Sequence, residues 1–491
     1  GEPSSCVSLC LFAAWKVIGM KKYIRRTIII YLVYLLLTGV LIFLYFENDP
    51  LLQADNPGIE SYWSETTGPD QVVLIDDRSD AWLSRMYLIE NAEETLDIAY
   101  YTIYKGTSGE LFYASLLEAA DRGVQVRFLL DGLFHNLNGP YSGIKYALIN
   151  HPNIELKFYE PLNLFKPWTL QNRLHDKYII MDKELVLMGG RNIGDGYYID
   201  NYDGARVYDR DIIIINGDKD NFNNSVVKDI VAYYDLLWEY EFSSYPVKKL
   251  NSLQKKLGSK KEAYLRGQLA EFRDKNPAMF TQTIDWRSRA VSTNKITLIS
   301  NSISRLNKDP RILREAGRII GDAESVFILS PYIIPTKQML KYIDFEELRD
   351  TEISILTNSL ASSPNYPGIA GQINKRKQAV DFATYFYEYQ GDGSIHAKLM
   401  IIDDRSSLIG SFNIDARSCF LSTESMVFID SKDFNQLLKN SIEDLKKEAL
   451  LVGEDYSYVK NPLVEEREVP IFKGIIVGFL RVFAYFIDFL L

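Results

Sequence analysis

One stretch of this chain is written twice, and that duplication constrains the fold more than any other feature. RLHDKYIIMDKELVLMGGRNIG (173–194) and SIHAKLMIIDDRSSLIGSFNID (394–415) share one order: His-x-Lys, four residues, Asp, six residues, Gly, a small residue, one residue, Asn. The first copy supplies His175, Lys177, Asp182, Gly190 and Asn192; the second supplies His396, Lys398, Asp403, Ser411 and Asn413. Weaker echoes precede both. VVLIDD (72–77) resembles ITLISN (296–301), AEETLDIAYYTI (92–103) resembles AESVFILSPYII (323–334), and VRFLLDG (126–132) parallels ISILTNS (353–359). Each holds a short apolar run beside helix-prone sequence, as buried strands joined by helical crossovers do. The pattern predicts an α/β fold of two similar α-β-α sandwich lobes about a pseudo-two-fold axis, on mixed or mainly parallel sheets. Lobe one is expected over 55–245 and lobe two over 290–462. The charged, helix-prone stretch 246–289 is expected as a linker helix or surface hairpin.

The ends differ from this body. Thr27 to Phe46 is 20 residues without a formal charge, long enough at about 1.5 Å per residue to cross a hydrocarbon layer of about 30 Å. A cleaved signal peptide is the alternative, but its apolar region is shorter and no clear cleavage site follows. Lys21, Lys22, Arg25 and Arg26 precede the span; Glu47, Asp49 and Asp55 follow it. The positive-inside rule then puts the N-terminus in the cytoplasm and the body outside. Residues 20–54 are expected as anchor and stalk, and 1–19 as a leader segment. Pro470 to Leu491 is apolar except for Lys473, Arg481 and Asp488, which fall on one side of a helix. That suits a membrane-associated amphipathic helix within 463–491, or a helix packed on the body.

Composition narrows the function. The chain of 491 residues has 55 Lys+Arg and 65 Asp+Glu, a formal charge of -10. Beyond residue 46 the balance is 50 to 64, or -14. Non-specific binding to a nucleic-acid backbone is disfavoured. Of three cysteines only Cys419 lies beyond residue 46, so the body has no intrachain disulfide. Only four histidines exist, and two occupy the same place in the repeat. His135 and His151 lie in loop-like sequence and read as solvated loop residues, His135 with a possible place at a site rim.

In a strand, residues two apart share a face, so the His and Lys of each copy project together. The small residues allow close backbone approach, and Asn offers an amide donor. Each copy is thus half of a phosphate site: an imidazole, an ammonium and an amide. Joined, two halves put two imidazoles around one phosphorus. One neutral His can attack; the other, protonated, can serve the leaving alcohol and then act as base for the incoming one. The scheme needs no cofactor and no metal, and a Lys beside each His disfavours a cation. Sequence symmetry does not say which His attacks.

This doubled pattern is the signature of the phospholipase D superfamily, which the chain resembles from about Asp55 to Pro462. GGRNIGDGYY (189–198), LTNSLASSPN (356–365) and GSFNIDARS (410–418) resemble bacterial cardiolipin synthases. The resemblance implies a bacterial cell-membrane enzyme that transfers a phosphatidyl group to phosphatidylglycerol through a phosphohistidine. The donor would be phosphatidylglycerol or phosphatidylethanolamine. It implies catalytic roles for His175, Lys177, Asn192, His396, Lys398 and Asn413, with His175 as nucleophile and His396 as acid. It also implies an acidic residue orienting each histidine: Glu424 in the second copy and, in the first, Asp211, with Asp209 as fallback. Asp211 leaves eight extra residues relative to the second copy. Asp182, Asp403, Gly190 and Ser411 would support these groups from behind. A phospholipase D hydrolase, a nuclease or other phosphodiesterase of the superfamily, and a tethered binding protein with a vestigial site are the alternatives.

Overall fold

The computed structural model describes residues 21–45, 58–199, 202–217, 219–277, 279, 284–306 and 308–491. The expected leader 1–19 and most of the stalk lie outside the described residues.

The duplication is carried strand for strand. In lobe one the main strands are β1 (Asp70–Ile75), β2 (Thr95–Tyr100), β3 (Gln125–Asp131), β4 (Ile154–Tyr159), β5 (Tyr178–Met181), β6 (Leu185–Gly189) and β7 (Asp211–Asn216). In lobe two they are β8 (Lys295–Ser300), β9 (Ser325–Leu329), β10 (Glu352–Asn358), β11 (Tyr385–Tyr389), β12 (Leu399–Ile402), β13 (Ser406–Gly410) and β14 (Ser425–Asp430). Their spatial orders, β4-β3-β2-β5-β6-β7-β1 and β11-β10-β9-β12-β13-β14-β8, are the same. Both sheets are mixed. β2, β3 and β4 pair in parallel, as do β9, β10 and β11, and the other main pairings are antiparallel.

Strand alternation divides each lobe's side chains between two cores. In β7, Ile213 and Ile215 join the outer core of lobe one under helices Arg78–Asn91 and Thr107–Asp121, while Ile212 and Ile214 face inward. The inward set continues into lobe two through Leu399, Ile401, Val427 and Ile429. Helices Val226–Glu239 and Lys432–Lys447 fill the same inner core, the first against β8 and the second against β1. One apolar layer therefore fixes the two lobes together. A short strand, Val291–Ser292, pairs with β1, so the sheet of lobe one extends past the linker.

The charged stretch between the lobes is one helix, Ser252–Lys275, and not a hairpin; Asn251 and Gln254 cap its start reciprocally. It buries Gly258, Leu265 and Leu269 against lobe one, and Lys261, Arg266 and Arg273 reach Glu110, Asp121 and Glu90. Its narrow apolar stripe joins the core of lobe one, and the ion pairs flank that seam.

Among the described residues one helix, Lys21–Leu44, is long and apolar enough to cross a membrane. It contains a π-turn at Leu37–Leu41, and there Gly39 meets Pro167, while its carbonyl accepts from Gln171 Nε2 at 3.0 Å. Tyr31 and Tyr34 donate to the carbonyls of Leu164 and Phe165.

At the other end, helix Ile471–Phe486 docks on helix Tyr366–Phe382 by its polar side. Lys473 Nζ donates to the carbonyls of Ala361 and Ser363, Arg481 bonds Asn374, and Asp488 just beyond pairs with Lys375. Phe472, Ile475, Phe479, Phe483 and Phe486 are left outside. The helix is thus packed on the body and still presents an apolar face, because its charged residues occupy the docking side.

Candidate active site

Two short parallel pairings between the lobes build the site. Arg173–Leu174, just before His175, pairs with Ser422–Thr423, just before Glu424. Reciprocally, Ser394–Ile395, just before His396, pairs with Val207–Tyr208, just before Asp209. The backbone N–H of His175 donates to Thr423 O at 3.3 Å, and that of His396 to Tyr208 O at 2.7 Å. Each acidic residue is thereby delivered to the histidine of the other lobe. Glu424 Oε1 stands 2.8 Å from His175 Nδ1, off the line of a good hydrogen bond. Asp209 Oδ2 is 2.6 Å from His396 Nδ1.

This corrects the expected pairing in two respects. Glu424 faces His175 and not the histidine of its own copy. In lobe one the matching acid is Asp209, not Asp211. Sheet register gives the reason: Gly189 pairs with Asp211 as Gly410 pairs with Met426, so Asp211 occupies the place of Met426 and Asp209 that of Glu424. Setting Asp211 before IIII against Glu424 before SMVFI displaces the match by two. Asp211 is instead buried between Arg85 and Arg191, at 2.8 and 2.9 Å, inside lobe one. Counted to Asp209, the first copy has six extra residues rather than eight.

Both histidines line one cavity of about 960 Å³ with Asn192 and Asn413 on its wall. Lys177 and Lys398 lie buried behind it, each folded back so that Nζ donates to the carbonyl of its own motif histidine. Lys398 Nζ is also 2.9 Å from His396 Nδ1. The amide oxygens of Asn192 and Asn413 are buried without a protein partner, and their amide groups reach Tyr197 and Tyr332 at 3.4 and 3.3 Å. Gly190 leaves room for Asp209, since a Cβ there would lie 2.4 Å from its carboxylate. Ser411, at the equivalent place, donates to Glu424 at 2.5 Å.

Asp182 and Asp403 do not reach the histidines. Asp182 accepts the backbone N–H groups of Glu93, Glu94 and Thr95, and Asp403 accepts that of Ser325. Strands β5 and β12 run away from the site, so both aspartates tie the far strand ends to the loops entering β2 and β9. His135 is buried, not solvated: its ring stacks on Phe158 at 4.0 Å and Nδ1 accepts from Leu137 N–H. His151 bonds Asp121 at 3.1 Å on the surface side.

Burial governs the electrostatics. It holds His175 well below its ordinary range, helped by the Lys177 and Lys398 charges. Burial and Lys398 push His396 down to about 4 against the pull of Asp209. Desolvation also lowers Lys177 to about 7 and Lys398 to about 8. The acids diverge. Burial raises Glu424 to about 7, whereas in Asp209 the same burial is outweighed by Lys398 and His396, and the carboxyl stays far below its usual range. A bound phosphodiester would raise all four bases toward their cationic forms.

Several neighbours escaped sequence reasoning. Asp131 and Asn358, equivalent ends of β3 and β10, accept from the backbone N–H groups of Leu174 and Ile395 and so hold the residue before each histidine. Tyr101 meets His175 edge-on at 5.1 Å, and Tyr332 is its repeat equivalent. Ser418 Oγ donates to Glu424 at 2.7 Å. Asp131 with Asn358, and Tyr101 with Tyr332, stand at matched places in the weaker repeats, which was the available signal. Asp176, buried against Tyr178 and Ser425, had none, because the second copy has Ala397 there. Among the described residues no three His, Cys, Asp or Glu side chains converge as a metal site.

The arrangement matches known proteins over most of its length. An uncharacterised protein of Helicobacter pylori is 28% identical over 415 residues, covering 77% of this chain and 80% of that protein. Cardiolipin synthase C of Escherichia coli is 28% identical over 398 residues, covering 73% and 81%. The phosphatidylserine synthase of Haemophilus influenzae shares the fold, with a TM-score of 0.59 over 88% of this chain and 99% of that one, at 16% identity. The family model described as "Cardiolipin synthase, PLD-like domain" matches residues 86–222 and 318–446. Those two matches take in both copies of the repeat and more than half the residues, and they make this chain a member of the phospholipase D superfamily, in the cardiolipin synthase PLD-like family.

Proposed function

We propose that the protein is a membrane-anchored phosphatidyltransferase that makes cardiolipin. The observation that carries this reading is the crossed pair of histidine–carboxylate contacts around one cavity, with a buried lysine behind each. Neutral His175 Nε2 attacks the phosphorus of the donor lipid while the P–O bond to its head-group alcohol breaks. His396 gives the proton to that departing oxygen. The terminal hydroxyl of phosphatidylglycerol then enters, returns a proton to His396 and attacks phosphorus, and the P–N bond to His175 breaks. Lys177, Lys398 and the amides of Asn192 and Asn413 stabilise the non-bridging oxygens. The acids support this division of labour: an ionised Asp209 at 2.6 Å pulls His396 toward its cation, against burial and Lys398. Glu424, raised to about 7, supports a cation on His175 less well and leaves it neutral to attack.

Lipid substrates are supported by the apolar helix that docks beside the cavity through Gln171 and by the aromatic outer face of helix Ile471–Phe486. The name of the E. coli relative points the same way. The basic flank of the first helix favours a body on the outer side of the bacterial cell membrane. The test is to give the full chain phosphatidylglycerol in vesicles, with and without phosphatidylethanolamine. Cardiolipin with released glycerol or ethanolamine is expected. Phosphatidic acid alone would mean a hydrolase, and oligonucleotide cleavage without lipid turnover would end the lipid reading.

A further inference from the structure

Cardiolipin has two phosphates bridged by one glycerol. When the acceptor's hydroxyl reaches the reacting phosphorus, its own phosphate stands three carbons away. Lys177 and Lys398 lie behind the reacting centre, so a second phosphate needs another cation on the cavity wall. Three other cationic side chains line that wall: Lys105, Arg173 and Arg417. Arg173 is committed to Asp131 at 3.3 Å and to the carbonyls of Glu160 and Thr169. Lys105 is exposed and lies over the Tyr141 ring at 5.3 Å. Arg417 differs from both. Its Nη2 donates to Gln171 Oε1 at 2.9 Å and Leu490 O at 2.7 Å, and among the described residues its guanidinium makes no ion pair. Burial disfavours its charge, with Tyr101 and Asp415 acting the other way. A desolvated guanidinium on a cavity wall, held by neutral oxygens and without an ion pair among the described residues, is suited to an anion that arrives with the substrate.

Its location has the same logic. Gln171, which fixes Arg417, also donates to Gly39 O in the apolar N-terminal helix at 3.0 Å. The backbone N–H of Arg417 donates to Leu491 O, beyond the helix with the exposed aromatic face. The cation therefore stands where the two lipid-suited elements meet the cavity mouth. We propose that Arg417 binds the phosphate of the acceptor lipid and thereby selects a phospholipid alcohol over water or an uncharged alcohol. The proposal rests on the transferase reading above.

The experiment reads how one phosphoenzyme partitions. The full chain in vesicles receives phosphatidylglycerol together with 1-butanol, and cardiolipin and phosphatidylbutanol are measured in the same reaction. Their ratio depends only on the second step and is blind to misfolded molecules. In R417Q the ratio falls roughly ten- to a hundredfold, the worth of a charge-assisted contact, and R417K, which keeps the charge, falls less. An unchanged ratio in both variants would overturn the proposal. So would a loss of both products in both variants, which marks a purely structural residue. If wild-type protein makes phosphatidylbutanol or phosphatidic acid but no cardiolipin, the transferase reading itself fails, and the proposal with it.

Discussion

The two lobes share a strand order and a pair of motifs, yet their halves of the site are not equivalent. Lobe one contributes Asp209, Gly190 and a buried Asp176; lobe two contributes Glu424, Ser411 and Ala397 at the same places. The shorter acid goes with the glycine, whose missing side chain admits it, and the longer acid goes with the serine that hydrogen-bonds it. Asp209 holds its charge while Glu424 is pushed toward neutrality. His396 is the more open of the two, with 25% of its side chain exposed against 14% for His175. A symmetric fold can thus give two identical side chains different proton affinities through single differences in what surrounds them.

The largest effects should separate the crossed acids from their neighbour. D209N and E424Q remove a charge beside a histidine without changing its shape, and transfer should fall by about 10²–10⁴ with a small change in thermal stability. D211N leaves Arg85 and Arg191 buried with a weakened partner, so unfolding should lose about 3–5 kcal/mol. Parallel rate and thermal-unfolding measurements would break the assignment if D211N were the rate mutant and D209N silent.

A pH series sharpens the electrostatic side. Burial lowers Lys177 and Lys398 to about 7 and 8, so they lose their protons well below the ordinary lysine range. Binding of sulfate, whose charge is constant over this interval, should be tightest below pH 7. It should weaken as pH rises through 7 to 8, because the deprotonated amines no longer attract an anion. Calorimetric affinities that stay flat up to pH 10 would contradict the lowered values.

The smallest effects concern what packs behind each acid. G190A brings a Cβ to 2.4 Å from Asp209 and should destabilise by about 1–3 kcal/mol, with a clear loss of rate. S411A removes one of two hydroxyl donors to Glu424 and should lose only about 1 kcal/mol. Equal responses would mean that the halves are more alike than their acids suggest.

The fold was legible because the repeat is long and its apolar runs are strands: β5 and β12, YIIM and LMII, follow the His-x-Lys pairs directly. The crossing of the acids was not legible. It depends on two-residue pairings between lobes, too short to leave a periodic signal, and on a register that the Ile-rich run obscures. The docking side of helix Ile471–Phe486 was half legible. The common side of its charges could be read, but not that carbonyls of Ala361 and Ser363 await Lys473.

The most direct measurement is the site of the covalent intermediate. A lipid phosphodiester with a 4-nitrophenyl leaving group needs no proton from His396, so H396A should still be attacked and should then stall for want of a base. Peptide mass spectrometry of the quenched H396A protein is expected to find the phosphoryl group on His175. A phosphoryl group on His396 of H175A protein, with none on His175 of H396A, would reverse the roles drawn from Asp209 and Glu424.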